Sequence, residues 1–419
     1  MSIFDQNGRE VIRILDSQGR EIETVYDQNG VIVYTNAVTI IGTSPMQFKA
    51  LGLPIKDYRI YGETLQDGTP SPDMPVDVVG CGVRTENLFD DVILQNNKGL
   101  DFSGSVTDFD GRVTTGEPID VSNTSAVTLE FAGTGINFIY ATFKSGILVE
   151  RVAGKYTGDV IRTSDCDELY ICFYSIPAIT KDDISNIMLT TGSTALPYEP
   201  YGYKLPVTTT NGTDTITTPI YIGSEPLHRI GEYADYVDYA SGKIVRRIKK
   251  LVMTEDKNIE YDSQNVRFYF SLGNSLTIGL RITPTFCSHY QCIDDGRPFS
   301  DIPDNSIYSS AVNTGIWFIK DIDYTSAADF KSYLAAQYAA GTPVTVWYVL
   351  SEPIEEDPPV PFPELPTLSG TNTLTVDTTV KPSEIDLTGR LKASGYGQLL
   401  DKNSTAINDS TGTPIFIRG

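Results

Sequence analysis

Two histidines are the first residues to weigh for chemistry. His228 lies in Pro226-Leu-His-Arg229, and His289 lies between Cys287 and Cys292. A Ser-His or Cys-His nucleophile needs its base oriented by a third group. Neither histidine stands in such a pattern, so both read as structural. The five cysteines include the spacings Cys166-x5-Cys172 and Cys287-x4-Cys292. Neither spacing comes with the second pair of ligands that a zinc site needs, so reduced, buried thiols are expected. The 54 acidic residues leave carboxylate chemistry open by number alone. A glycosidase, however, needs two carboxylates held roughly 5–10 Å apart, a spacing set by the fold. Calcium is the one cofactor the acidic turns leave open, with Asp101, Asp108 and Asp110 near Gly111. That set is incomplete against a full calcium loop, so metal stays open; no other cofactor and no catalytic residue is expected.

Binding chemistry is better represented. In Glu168–Ser175, Leu169, Ile171 and Phe173 share one face of a strand, which leaves Tyr170 and Tyr174 on the other. Tyr140, from a strand over Ile136–Phe143, is expected to join them. Tyrosines on a strand face offer flat π-surfaces to the apolar faces of sugars, so Tyr140, Tyr170 and Tyr174 are the candidate glycan contacts; inter-domain packing is the competing reading. The basic run Lys243–Lys250, KIVRRIKK, reads as strand charges that block edge-to-edge aggregation. Its functional alternative is an acidic partner surface.

The elements that position these residues are mostly strands. Tyr, Phe, Thr, Val and Ile recur throughout, and 35 glycines and 24 prolines cut the chain at short intervals. Hydrophobic content of 40% excludes general disorder, and a net charge of −22 argues against nucleic acid as partner. No apolar run reaches the ~20 residues of a membrane-spanning helix. The opening MSIFDQNGRE lacks the features of a signal peptide, so synthesis in a cytoplasm is expected. One helix is well signalled over Ser326–Ala340. Ser326 and Asp329 form its capping box, Phe330, Tyr333, Leu334 and Tyr338 its apolar stripe, and Gly341 its end.

Residues 1–36 carry turn units at Asp5–Gly8, Asp16–Gly19 and Asp27–Gly30, which predict a small β-meander. A meander this small cannot stand alone, so it is assigned to docking and oligomerisation. A discontinuous β body is expected over 37–86 and 204–385, with a β-sandwich inserted over 87–203 and a docking tail over 386–419. Within the body, Tyr58–Val79 reads as a strand followed by a stiff surface strap, Thr69-Pro-Ser-Pro-Asp-Met-Pro75, then a second strand. Glu352–Pro366 reads as a second, acidic and Pro-rich strap, exposed and extended.

The stretch YRIYGETLQDGTPSPDMPVDVV over 58–79 resembles the YxIxGxTxQDGTPxPDxP signature of tail, baseplate and tail-fibre proteins from phages and prophages of Gram-positive bacteria. Further motifs follow in that family's order: Asn87-Leu-Phe89, the NIML…PYEPY run over 186–201, Gly242-Lys-Ile-Val-Arg-Arg-Ile248 and the proline-rich ending before Ser383. The resemblance covers roughly 38–383. It implies a mainly β, multi-domain protein whose insert is a jelly-roll-like, carbohydrate-binding-like module. It also implies a virion structural protein, made in the host cytoplasm and built into the distal tail, that is not an enzyme. Expected partners are other tail proteins, further copies of the chain (a trimer in a fibre) and host cell-wall glycan. The alternatives are a tail-associated glycan hydrolase and an architectural scaffold without ligand.

Overall fold

The structure, a computed structural model, describes residues 38–52, 54–55, 57–271, 285–293, 297–309 and 316–389. It also describes the backbone segments 3–4, 10–11, 24–26, 32–35, 396–398 and 416–418. The described chain is mainly β, with one α-helix of more than one turn. It divides into two compact units: Val83–Lys204 with Gly223–Glu225, and the remainder.

At the N-terminus, Ile3–Phe4 pairs antiparallel with Glu10–Val11, and Thr24–Tyr26 with Ile32–Thr35. Each pair brackets one of the predicted turn units; the turns themselves, including Asp16–Gly19, lie outside the described residues. Near the C-terminus Tyr396–Gln398 pairs with Phe416–Arg418. The turn units at Asp401–Ser404 and Asp409–Gly412 also lie outside the described residues.

In the larger unit a seven-stranded antiparallel sheet runs in the order Thr285–Cys287, Thr345–Glu356, Lys243–Val252, Tyr236–Asp238, Asp57–Tyr61, Glu384–Gly389, Val38–Gly42. The first half of the strand Thr345–Glu356 is apolar on both faces and buried on both. Val344, Val346, Tyr348 and Leu350 join one cluster, Trp347 and Val349 another. Lys243–Val252 pairs on both sides, so KIVRRIKK guards no edge. Its Arg246 is buried instead, because the partner strand runs past Pro353 to Glu356 and presents a carboxylate to it. The first residues of the acidic strap are therefore paired strand.

The helix Ala327–Ala339 begins as its sequence dictates, with the Ser326 hydroxyl accepting from Asp329 N at 3.1 Å. Phe330 and Leu334 are buried, and the Phe330 ring stacks on Phe268 with centroids 4.3 Å apart. Tyr338 departs from the expected stripe and is exposed.

The stretch 58–80 binds this unit together. Tyr58 and Ile60 point into the core, and the Tyr58 hydroxyl donates to Pro363 O at 2.9 Å. Thr64–Gln66 pairs with Val78–Gly80, and the strap between them is docked rather than free. Pro70 is buried, Val76 N donates to Ser288 O at 2.8 Å, and Gln66 Nε2 donates to Cys287 O at 2.8 Å. Two glycines permit a close backbone approach. A Cβ on Gly62 would stand 2.7 Å from the Leu227 carbonyl carbon, and one on Gly80 2.8 Å from the His228 ring.

The smaller unit is a two-sheet sandwich. Its larger sheet runs Leu94–Leu100, Val106–Thr115, Glu168–Tyr174, Asn137–Lys144, Ile147–Lys155, with Ile119–Asp120 also pairing on Glu168–Tyr174. The smaller sheet runs Val160–Arg162, Ala126–Ala132, Ser185–Thr191. Between them lies an apolar core including Phe89, Leu129, Phe131, Phe138, Leu169, Ile171 and Phe173. Asn87 closes the module. Its amide nitrogen donates to Ile187 O (2.8 Å) and Glu199 O (3.0 Å), and its oxygen accepts from Phe89 N and Leu189 N. All four hydrogen-bonding positions of one buried side chain are thereby used, two of them on the module's last strand, Ser185–Thr191.

Gly62→Ala is expected to destabilise the protein by about 1–3 kcal/mol, the usual cost of overpacking a closed site. The measurement is the midpoint of urea unfolding. An unchanged midpoint would mean that the 62–66 segment can slide away from Leu227–His228 at no cost.

Candidate functional site

The larger sheet of the sandwich has two apolar faces. Leu169, Ile171 and Phe173 face the core, whereas Tyr170, Cys172 and Tyr174 face away from it, as strand alternation requires. The registers Tyr174–Arg112, Tyr174–Asn137, Cys172–Ile139 and Tyr170–Ala141 define the residues that share this outer face. Tyr170 and Tyr174 are half-buried and pack on a second cluster with Leu100, Ile139, Ala141 and Phe143. Tyr170 meets Phe143 edge-on at 5.7 Å.

Tyr140 is not part of this face. It pairs with Ile171 and therefore points into the core, where it is 4% exposed and donates to Glu150 Oε1 at 2.9 Å. Both faces of its strand are apolar, so only the register with the neighbouring strand distinguishes them. In its place the outer side holds aromatics that the alternation did not single out. Phe102 is 93% exposed and Phe109 46% exposed. Phe102 lies on the loop after Leu100, and the Arg151 guanidinium stands 5.4 Å from its ring. That loop lies close on the sheet because Gly104, at φ +80°, leaves no room for a Cβ against Phe143 and Leu148. Arg112 lies against Phe109, 3.6 Å from the ring centroid, and 5.5 Å from that of Tyr174. Desolvation, followed by the charges of Glu168 and Glu117, raises the Tyr170 hydroxyl above its ordinary pKa. The face is thus an aromatic surface with a guanidinium at the Tyr174 end and carboxylates toward Tyr170.

Of the three acidic residues considered for calcium, Asp101 and Asp108 are separately engaged, and Asp110 is exposed. Asp101 Oδ1 accepts from Ser103 N, the Ser103 hydroxyl and Ser105 N, which holds the loop and lowers the Asp101 pKa. Asp108 pairs with Lys98 at 2.6 Å. Among the described residues no group of three or more His, Cys, Asp or Glu is arranged to hold a metal ion.

Both histidines are buried. The Ser288 hydroxyl meets His289 Nδ1 at 2.8 Å, but that hydroxyl also accepts from Thr345 N at 2.9 Å, and the imidazole is 1% exposed. A substrate cannot reach this pair. His228 lies beside the glycine contact, with Nδ1 3.3 Å from the Thr64 hydroxyl. Thr64 Oγ1 also accepts from Arg229 N at 2.8 Å. Burial, together with Arg246 and Lys250, pushes the His228 pKa down to about 3. Nearby, the buried Asp235 carboxylate accepts from His228 N, Arg247 N and Ile248 N at 2.6–3.0 Å. Arg246 stands 3.8 Å from it. Burial nonetheless pushes Asp235 up to about 6. The five cysteines are free, and burial raises the thiols of Cys81 and Cys287 to about 11, away from thiolate chemistry.

Among the described residues no helix is long and apolar enough to cross a membrane. No family model, no curated protein and no solved structure matches the chain.

The two buried groups predict opposite pH dependences. His228 takes up a proton near 6.5 when unfolded but only near 3 when folded, so its contribution is complete above 6.5 and is lost as pH falls. Asp235, raised from 3.8 to about 6, contributes a loss of stability as pH rises through that window. His228→Gln is therefore expected to flatten the acid-side fall in stability between pH 6.5 and 5, by up to about 1.4 kcal/mol per pH unit. Urea unfolding at several pH values measures it; parallel profiles for the two proteins would contradict a buried neutral His228.

Proposed function

We propose that this chain is a structural protein of the distal tail of a phage or prophage of Gram-positive bacteria, a baseplate or tail-fibre component that helps to attach the particle to cell-wall glycan. The resemblance of residues 58–79, with the later motifs in the same order, supports the tail assignment. The signature residues with described contacts all serve the fold. Tyr58 and Ile60 lie in the core, Gly62 stands at the close approach, and Thr64 and Gln66 are hydrogen-bond anchors. That is what a scaffold motif requires. The single observation that carries glycan attachment is the outer sheet face of the sandwich, where Tyr170, Tyr174, Phe109 and Phe102 stand on strands and a braced loop. Rigid aromatic surfaces of this kind hold sugar rings at low entropic cost. The protein acts without enzymatic turnover, alongside other tail proteins and further copies of itself, with the 1–36 hairpins as docking elements.

Binding of the full-length protein to purified Gram-positive cell-wall glycan, measured by calorimetry, tests this reading. Tyr170→Ala and Tyr174→Ala should each weaken binding by about 0.5–1.5 kcal/mol, while Tyr140→Phe, altered only in the core, should bind as the parent does. Equal affinity in all four proteins would remove the outer face from the reading. Release of reducing sugar during the titration would favour the hydrolase instead.

A further inference from the structure

Among the described arginines some pair with a carboxylate, and others, Arg84, Arg112, Arg151 and Arg247, lie against aromatic rings without one. Arg59 pairs with Asp238, Arg246 with Glu356 and Arg267 with Asp262. Among the described residues Arg112 has no carboxylate partner, and its contacts are the rings of Phe109 and Tyr174. Arg84 and Arg151 also donate to Tyr201 Oη and Leu100 O, whereas the Arg112 side chain has no such acceptor among the described residues. Asp108, four residues before Arg112, is held by Lys98 at 2.6 Å, which leaves exposed Asp110 as the nearest uncommitted acid in sequence. A guanidinium lying against a ring has one planar face covered. Its edge N–H groups stay available as a fork, the geometry that suits a carboxylate or phosphate. The Tyr174 ring beside it offers a surface to a sugar.

Resting on the glycan reading above, we infer that the Tyr174 end of this face selects a glycan that carries an anionic group, a carboxylate or a phosphodiester, and that Arg112 recognises that charge. The opposite end of the face, where Glu117 and Glu168 act on Tyr170, suits neutral sugar. Tyr170 and Tyr174 are four residues apart on one strand, about 13 Å. The two ends therefore engage different sugars of one polymer. A chain charge of −22 opposes polyanions at long range, so the selectivity is a local contact and not steering by the whole field.

The test compares binding of the full-length protein to a polyuronate oligosaccharide, to a polyol-phosphate wall glycan, and to carboxyl-reduced and phosphate-free counterparts. At least one anionic glycan should bind about 10- to 100-fold more tightly than its neutral counterpart, the range for hydrogen bonds to a charged group. Whichever it is identifies the anion. Arg112→Gln should abolish that preference and Arg112→Lys restore it only in part, because an ammonium has charge without the planar fork. Asp110→Asn, at an exposed position, should strengthen binding of the anionic ligand. Urea midpoints equal to the parent's establish that the variants are folded. Neutral glycan bound as tightly as anionic, with Tyr174 required and Arg112 dispensable, would overturn this inference and leave the glycan reading standing. No binding to any of the glycans would overturn both.

Discussion

The larger unit depends on a backbone approach that only glycine permits. Gly62 and Gly80, brought together by the pairing of Thr64–Gln66 with Val78–Gly80, close on Leu227 and His228 at distances where any Cβ would overlap backbone or ring. Cys81 exchanges both backbone hydrogen bonds with Leu227, at 2.7 and 2.9 Å, and Gly62 N donates to Asp235 O at 2.7 Å. The Asp235 side chain then extends the contact to Lys243–Val252 by accepting from Arg247 N and Ile248 N. One buried carboxylate thus joins the 228–235 turn to the middle of the seven-stranded sheet. Its burial is expensive, as its raised pKa records. Arg246 and three backbone donors offset that cost only while every partner stays in place. Such a site adds little net stability, but it excludes registers in which a donor would be left unmet.

This arrangement gives the distinctive residues of the stretch a structural role. Gly62, Thr64, Gln66 and the proline strap are distinctive because the contacts they make are demanding. Thr64 serves two partners with a single hydroxyl, accepting from Arg229 N and hydrogen-bonding His228 Nδ1. Gln66 spans to the Cys287 carbonyl, and the strap docks through Val76 on Ser288. Distinctive residue choice marks constraint of any origin, and here the constraint is packing.

What the sequence made legible follows the range of the interactions involved. The helix was readable because Ser326 caps it within one turn, and the core face of Glu168–Tyr174 because alternation is local. Asn87 hydrogen-bonds Ile187 O and Glu199 O, so the Asn87-Leu-Phe89 motif meets the 186–201 run in space. Tyr140 was misplaced because its strand is apolar on both sides, and the pairing with Ile171 that decides its direction comes from another strand. Arg246 was read as a surface charge for a similar reason. Its acceptors, Ile222 O, Pro226 O and Glu356, stand 20 to 110 residues away.

The outer face of the sandwich was half legible, and the missing half changes its chemistry. Two tyrosines alone describe a neutral stacking surface. The pairing of Arg112 with Tyr174, and the braced loop that brings Phe102 toward Arg151, add fixed guanidinium groups at the aromatic surface. Those additions depend on a bulge at Asn97 and on Gly104, irregular positions where periodicity carries no information. The outer face holds Arg112 against Phe109 on a strand fixed by two neighbours, so its donor set is aligned in advance. Alignment in advance reduces the entropy lost on binding, which is the physical reason to propose recognition on this face rather than on the exposed turns.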